Sequence, residues 1–283
     1  MKTILVTGAN GQLGRCLQDV AQDHDHFDFK FFSSKELDIT NEEQIDQIFK
    51  AHSFDYCINC AAYTAVDKAE KEKERAYLVN AEGVRLLANA CKKHGTTLIQ
   101  ISTDFVFDGA KRAPYNELDK TIPINVYGQS KLQGEEYVAS ILDKYFIIRT
   151  SWVYSEYGHN FLKTMQRLGR EREEINVVQD QIGTPTYAKD LAEFLVHLLS
   201  KETSDYGIYN FSNSGETTWY EFAKAIFQIE ENNIKVKPIF AKDYKTLATR
   251  PKYSVLDKSL VKLKFDIAIP EWTESLKKCI INK

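Results

Sequence analysis

The chain contains 283 residues, 43% of them hydrophobic, and carries a formal net charge of −3 at pH 7. This length supports one large domain or two modest ones, and no basic run is long enough to follow a nucleic-acid backbone. No stretch approaches the ~20 apolar residues of a membrane-spanning helix, and no signal-peptide pattern follows Met1. We therefore expect a soluble, cytoplasmic protein without nucleic-acid or membrane partners.

Short apolar runs alternate with helical patterns in the first half of the chain. The runs predict strands at 2–7, 28–32, 55–60, 97–102 and 145–150. Helical patterns lie between them, near 12–22, 41–51, 75–94 and 128–142. This alternation is typical of an α/β fold, a doubly wound parallel sheet of the Rossmann type with right-handed crossovers.

The second half is less regular and contains several glycine and proline turn signals. Helices are predicted there near 161–169, 187–200, 218–231 and 271–281. We expect a first domain at 1–152 and a smaller C-terminal lobe at 153–283, interleaved with the first.

The cysteines do not form a recognisable framework, because their number, five, is odd. Cys57 and Cys60 have the C-x-x-C spacing, but they lie at the end of a predicted buried strand. No second pair completes a zinc site, and a redox pair normally opens a helix. We predict ordinary core cysteines.

Three glycines follow the first predicted strand and open the first predicted helix. Strand, glycine turn and helix in this order are typical of dinucleotide binding, with the pyrophosphate at the helix N-terminus. The spacing is Gly-x-x-Gly-x-x-Gly instead of the commoner Gly-x-Gly-x-x-Gly, and a plain glycine-rich turn is the alternative. The predicted cofactor contacts here are Gly8, Asn10, Gly11, Gln12, Leu13 and Gly14.

The end of the second predicted strand bears on the choice of cofactor. An acidic residue there would bind the ribose 2′-hydroxyl and repel a 2′-phosphate. The chain instead has Ser33, Ser34 and Lys35, whose hydroxyls and cation favour NADPH without excluding NADH. Asp38 and Ile39 are expected to contact the adenine.

Ligands of open α/β sheets bind beyond the carboxyl ends of the strands. That rule selects further residues, which we expect to line one crevice. They are Ala61, Ala62 and Tyr63 after the third strand, Thr103 and Asp104 after the fourth, and Trp152 after the fifth.

Tyr127 and Lys131 stand four residues apart and can share one face of a helix. A positive charge close to a phenol lowers its pKa, so we expect Lys131 to bring Tyr127 toward the range useful for acid–base catalysis. Taken alone, the pair could equally be part of a solvated helix face.

Several segments together resemble the extended short-chain dehydrogenase/reductase family. The resemblance covers the whole chain and is most specific for the branch that reduces the 4-keto group of a dTDP-sugar. The segments are TGANGQLG (7–14), NCAAYTAVDKAE (59–70), STDFVFDG (102–109), YGQSK (127–131) and RTSWVY (149–154). The resemblance implies reduction of dTDP-4-dehydro-L-rhamnose to dTDP-L-rhamnose with NADPH.

The resemblance also implies roles for individual residues. Tyr127 would protonate the C4 oxygen, Lys131 would hold the nicotinamide ribose, and Thr103 would donate a hydrogen bond to the ketone. These roles suit the chemistry, because a developing alkoxide needs a proton donor and a polarising hydroxyl. The alternative for Thr103 is a strand-end hydroxyl that caps a turn.

On the substrate side, Asp104 would accept from a hexose hydroxyl and Trp152 would lie against the sugar ring. Arg250 would bind the pyrophosphate as a guanidinium fork. Trp152 could instead be a core aromatic between the lobes, and Arg250 a surface arginine. The segment 179–186 resembles the family too and is expected to position the two lobes.

One departure from the family concerns a metal. Some members bind magnesium at a dimer interface through glutamates, one of them just after the third glycine. This chain has Arg15 and Cys16 there. We therefore predict no bound metal, and a monomer or a weak homodimer built in another way.

Two other functions stay open. Dehydratases of the superfamily carry an Asp–Glu pair after the threonine, whereas Phe105 follows Asp104 here, but an epimerase is compatible with Tyr127 and Lys131. The chain also resembles a non-catalytic regulatory subunit of methionine adenosyltransferase, which acts by binding a partner.

Overall fold

A six-stranded parallel sheet forms the centre of the computed structural model, which describes residues 1–281. Its strands are β1 (Lys2–Thr7), β2 (Phe27–Phe32), β3 (Tyr56–Asn59), β4 (Thr97–Thr103), β5 (Tyr145–Thr150) and, from the second half, Gly207–Asn210. The order from edge to edge is Gly207–Asn210, β5, β4, β3, β1, β2. The five predicted strands and the Rossmann-type fold class are thus confirmed.

The sixth strand was not predicted. It pairs with β5, with Gly207 opposite Phe146 and Asn210 opposite Arg149. It is only four residues long and begins with a glycine, so it lacks the apolar run that marked the other strands. A segment of the second half therefore completes the sheet of the first.

Helices cover both faces of the sheet. They are α1 (Gln12–Ala21), α2 (Glu42–Ala51), α3 (Val66–Ala69), α4 (Lys73–Tyr77), α5 (Gly83–His94), α6 (Val126–Ile141), α7 (Phe161–Glu171), α8 (Ala188–Ser200), α9 (Trp219–Ile229), α10 (Ser259–Phe265) and α11 (Trp272–Ile281). Helices α1, α8 and α10 share one core with the sheet. Helices α2, α5 and α6 share the core on the other face, as double winding requires.

The predicted helix at 75–94 is interrupted. A π-helical turn at Leu78–Glu82 separates α4 from α5, and such turns are frequent at functional sites. Within it, the Asn80 side chain accepts from the Tyr63 backbone N–H at 2.8 Å and donates to the Tyr63 carbonyl at 3.0 Å. The irregular turn therefore fixes the loop after β3.

The rest of the second half builds a smaller core of its own. Its short strands form three two-stranded sheets, with Glu174–Val178 and Lys235–Ile239 as the longest pair. These strands and helices α7, α9 and α11 bury one hydrophobic cluster. The last two residues of the predicted lobe, 282–283, lie outside the described residues. Within residues 1–281, no helix has the length and apolar character to cross a membrane.

Cys57 is a core thiol, as predicted, whereas Cys60 is half-buried and packs against the core from its edge. Cys57 is fully buried at the centre of β3. Burial raises the pKa of the Cys60 thiol to about 12, so Cys60 is protonated at neutral pH and has no thiolate to offer a metal or a disulfide.

Candidate active site

Polar side chains occupy the carboxyl edge of the sheet, where parallel strands end together. The Thr7 hydroxyl donates to Asn59 Oδ1 at 2.6 Å, and Asn59 Nδ2 donates to Gln100 Oε1 at 2.7 Å. Asn59 Oδ1 also accepts from the Ala61 N–H at 3.2 Å. This buried row ties the ends of β1, β3 and β4 to the loop that follows β3.

The glycine turn follows β1 at the same edge. Gly8 has φ +65°, and a Cβ on it would lie 2.7 Å from the Ala61 nitrogen, so only glycine fits against that loop. Gly11 is the N-cap residue of α1 and provides no side-chain cap. The first N–H groups of α1 are left without a capping side chain, which suits an anionic group.

A cavity of 590 Å³ opens beside the turn. The predicted cofactor residues that line it are Gly8, Asn10, Gly11, Asp38, Ile39, Ala61, Ala62 and Tyr63. Its wall also contains Ser34, Leu37, Thr40, Cys60, Arg75, Leu78 and Val79. Sequence reasoning missed Arg75 on α4 and Leu78 and Val79 in the π-helical turn, because the predicted helix at 75–94 was not expected to reach this edge.

Other predicted cofactor residues lie outside the cavity wall. Leu13 and Gly14 are buried inside α1. The Gln12 side chain accepts from Ser155 at 3.1 Å and from Asn160 at 2.8 Å, so it joins α1 to the second half. Their contacts with a cofactor stay predictions.

The Glu36 carboxylate occupies the hydrogen-bond donors of Ser33 at the end of β2. The Ser33 N–H and hydroxyl donate to one Glu36 carboxylate oxygen at 2.8 and 2.6 Å. These bonds lower the pKa of Glu36. Lys35 beside them is exposed. The serine donors predicted for a 2′-phosphate are therefore shared with Glu36, which sequence reasoning missed.

Thr103, Asp104 and Tyr127 come together at the end of β4. The Thr103 hydroxyl donates to Asp104 Oδ1 at 3.1 Å and accepts from the Phe105 N–H at 3.2 Å. The Thr103 side chain also lies close enough to the Tyr127 phenol to influence its pKa. Thr103 caps a turn, as the alternative interpretation expects, and its donation to a substrate ketone stays a prediction.

The predicted lowering of the Tyr127 pKa is wrong for this structure. Desolvation raises that pKa to about 12, and the negative charge of Asp104 adds to the rise, while the Thr103 hydrogen bond opposes it. The Lys131 ammonium instead donates to the Ile101 carbonyl at 2.6 Å. Tyr127 is therefore a neutral phenol at neutral pH and can act as a proton donor.

Asp104 combines burial with an unused oxygen. Burial raises the pKa of its carboxyl to about 7. Its Oδ2 atom is buried without a hydrogen-bond partner among residues 1–281. A buried orphan acceptor at a crevice suggests a ligand hydroxyl as the partner.

Trp152 is held in a strained backbone conformation, with φ +47°. Its ring stacks on Trp219 with centroids 3.5 Å apart and planes 9° apart. A positive φ is unusual for a bulky residue and marks sites where the surroundings impose the geometry. Sequence reasoning missed Trp219, because no motif or strand-end position marked it.

Arg250 is paired within the chain. Its Nη2 atom donates to Asp67 Oδ2 at 2.5 Å and its Nη1 to Asp67 Oδ1 at 3.2 Å. The same carboxylate accepts from the N–H groups of Leu247 and Ala248 at 3.0 Å. The guanidinium fork therefore binds an internal carboxylate and fastens the loop before Arg250 to α3.

The position of the magnesium glutamate is occupied by Arg15, whose guanidinium lies 5.3 Å from the centre of the Tyr157 ring. Within residues 1–281, no group of at least three His, Cys, Asp or Glu side chains is placed to hold a metal ion.

A Rossmann-type sheet, a glycine turn beside a cavity and a Tyr–Lys pair packed against β4 at the same edge are the features of a nicotinamide-dependent oxidoreductase of the extended short-chain class. The comparison with known families is more specific. The family model described as the RmlD substrate binding domain matches residues 1–283. The chain belongs to this family, that of the dTDP-4-dehydrorhamnose reductases.

Known proteins are similar to this chain over nearly its whole length. A dTDP-4-dehydrorhamnose reductase of Aggregatibacter actinomycetemcomitans is 42% identical over 98% of both chains. A dTDP-4-keto-6-deoxy-D-glucose reductase of Streptomyces niveus is 36% identical over 96% of this chain and 94% of its own. The crystal structure of the Bacillus anthracis dTDP-4-dehydrorhamnose reductase in complex with NADP superposes with a TM-score of 0.96, 45% identity and complete coverage of both chains.

Proposed function

We propose that this chain reduces the 4-keto group of dTDP-4-dehydro-L-rhamnose to give dTDP-L-rhamnose, with NADPH as the reductant. The observation that carries the proposal is the Thr103–Tyr127 contact at the end of β4, in a chain of this family. Two hydroxyls at one point match what a ketone oxygen needs while it gains negative charge.

The cofactor cavity fits a dinucleotide in two respects. The N-terminus of α1 has no side-chain cap and can receive a pyrophosphate. Ser34 and Asp38 line the wall at the end of β2, where an adenosine ribose binds in such folds. When bound there, NADPH supplies a hydride to the C4 carbon. NADH remains possible, since Glu36 occupies the Ser33 donors.

Tyr127 is the proton donor in this proposal. Its raised pKa keeps the phenol protonated at neutral pH, so the hydroxyl can give its proton to the C4 oxygen. Thr103 orients that oxygen by a hydrogen bond. Lys131 holds the nicotinamide ribose and adds a positive charge to the site, which favours the phenolate left behind.

In this proposal residues 1–152 hold the cofactor and also provide two sugar contacts, and the second half of the chain completes the sugar-nucleotide site. Asp104 Oδ2 accepts from a sugar hydroxyl, and Trp152 lies against the ring. Arg250 binds the pyrophosphate by leaving Asp67. We expect the protein to work in the cytoplasm as a monomer or weak homodimer.

The deciding experiment is an assay of NADPH oxidation against a panel of 4-keto sugar nucleotides. The panel contains dTDP-4-dehydro-L-rhamnose, dTDP-4-keto-6-deoxy-D-glucose and a UDP-linked 4-keto sugar. We expect one NADPH oxidised per molecule of dTDP-4-dehydro-L-rhamnose, and a lower kcat/KM for the other two. Interconversion of epimers without net oxidation would support an epimerase. Absence of turnover, with tight binding to a methionine adenosyltransferase, would support the regulatory subunit.

A further inference from the structure

Glu135 extends the face of α6 that carries the proposed catalytic pair. Tyr127, Lys131 and Glu135 are spaced four residues apart and therefore lie on successive turns of one helix face. The Lys131 and Glu135 side chains are both buried, with relative exposures of 4% and 3%. A buried carboxylate one turn from a buried ammonium is costly to maintain unless the two charges compensate each other.

The Glu135 carboxylate is held from two further elements. Ser102 Oγ on β4 donates to Oε1 at 2.5 Å. Arg149 on β5 donates through Nε to Oε1 at 3.0 Å and through Nη2 to Oε2 at 2.6 Å. These bonds leave the carboxylate a single orientation.

The buried cluster around Glu135 contains one more positive charge than negative charge. Lys131 and Arg149 are two buried cations, and Glu135 is an anion that pairs with Arg149 and lies one helical turn from Lys131. Among residues 1–281, Arg149 Nη1 has no hydrogen-bond partner, and its guanidinium faces the Phe107 ring at 5.2 Å. Burial lowers the pKa of Lys131 to about 8, and the Glu135 charge is the first opposing influence.

We infer that Glu135, fixed by Arg149 and Ser102, is a positioning residue that supplies the negative charge balancing the Lys131 ammonium in the active site. Without that charge, burial would drive Lys131 toward its neutral form at neutral pH. Glu135 touches no reacting atom, so it acts through Lys131. The inference rests on the proposed function only for its catalytic consequence.

Two variants separate this role from a plain structural ion pair. Glu135→Gln and Arg149→Gln each break the same buried pair, and both should lower stability. Only Glu135→Gln removes the negative charge beside Lys131. A purely structural pair predicts equal effects of the two variants on the Lys131 titration, whereas a positioning role predicts a lower Lys131 pKa in Glu135→Gln alone.

The titration is read directly from the ¹³Cε resonance of Lys131 in lysine-labelled protein, assigned by its loss in Lys131→Met. We expect a midpoint near pH 8 in the unmodified chain, at least about one unit lower in Glu135→Gln, and unchanged or higher in Arg149→Gln. The alkaline limb of kcat/KM should move with each midpoint.

Equal midpoints in all three proteins, or a shift in one direction for both variants, would overturn the inference. If Glu135→Gln does not fold, the double variant Glu135→Gln/Arg149→Gln removes both charges, and its midpoint should lie below that of Arg149→Gln. Because the resonance reports Lys131 without any substrate, a failed reductase assay would leave this result interpretable.

Discussion

Gly183→Ala would insert a methyl group against the Trp152 ring. A Cβ at Gly183 would lie 2.6 Å from Trp152 Cε2 and 2.7 Å from Cζ2. Carbon atoms in contact are normally about 3.5–4.0 Å apart, so the ring would have to retreat by about 1 Å. It cannot do so freely, because it is stacked at 3.5 Å on Trp219.

The expected magnitude follows from that displacement. Overpacking of this kind costs about 1–3 kcal/mol of stability. A displacement of about 1 Å in a substrate-positioning group can cost up to about 100-fold in rate. We therefore expect kcat/KM for the sugar nucleotide to fall by about 10- to 100-fold, with the dissociation constant for NADPH unchanged.

Gly169→Ala is the matched control. Its Cβ would lie 2.7 Å from Phe227 Cε1 and 2.8 Å from Asn232 Nδ2, a similar clash in the core of the second half. Urea unfolding should show comparable losses of stability for both variants, and steady-state NADPH oxidation should show a loss only for Gly183→Ala. Equal kinetic behaviour would refute the reasoning and make Trp152 a packing residue only.

Two further predictions concern charge. Glu36→Gln weakens the carboxylate's hold on the Ser33 donors, so the ratio of kcat/KM for NADPH to that for NADH should rise at least about twofold; an unchanged ratio would contradict this. The pKa of Asp104 is about 7 in the native state and about 3.9 in the unfolded chain. The stability that its protonated form contributes is therefore complete below about pH 4 and is lost as the pH rises through 7. Asp104→Asn should therefore flatten the decline in unfolding free energy between pH 5 and pH 8 by about 2–4 kcal/mol; an unaltered slope would mean that the carboxyl titrates normally.

The fold and the site could be predicted from the sequence wherever a local residue pattern determines the structure. Apolar runs gave the five strands β1 to β5, and the glycine turn gave the cavity at the carboxyl edge. Parallel strands end at one edge, so the rule for strand ends placed Thr103 there, and chain order placed the helix of Tyr127 directly after the same strand. These features depend on periodicity and chain order, which a single sequence contains.

What the sequence did not give depends on contacts distant along the chain. Arg250 meets Asp67 across 183 positions, and the Glu36–Ser33 contact depends on how the loop after β2 folds back. The Tyr127 pKa rises because the phenol is desolvated and lies near the Asp104 carboxylate. Helix spacing placed Lys131 on the right face, but it could not show that the ammonium turns to the Ile101 carbonyl.

Tyr127→Phe tests the central claim most directly, because it removes one hydroxyl and leaves the ring. The measurement is kcat for NADPH oxidation with dTDP-4-dehydro-L-rhamnose, together with the dissociation constant for NADPH. If Tyr127 donates the proton to the C4 oxygen, kcat should fall by about 10²–10⁴-fold while NADPH binds as before. Turnover near that of the unmodified chain would contradict the assignment.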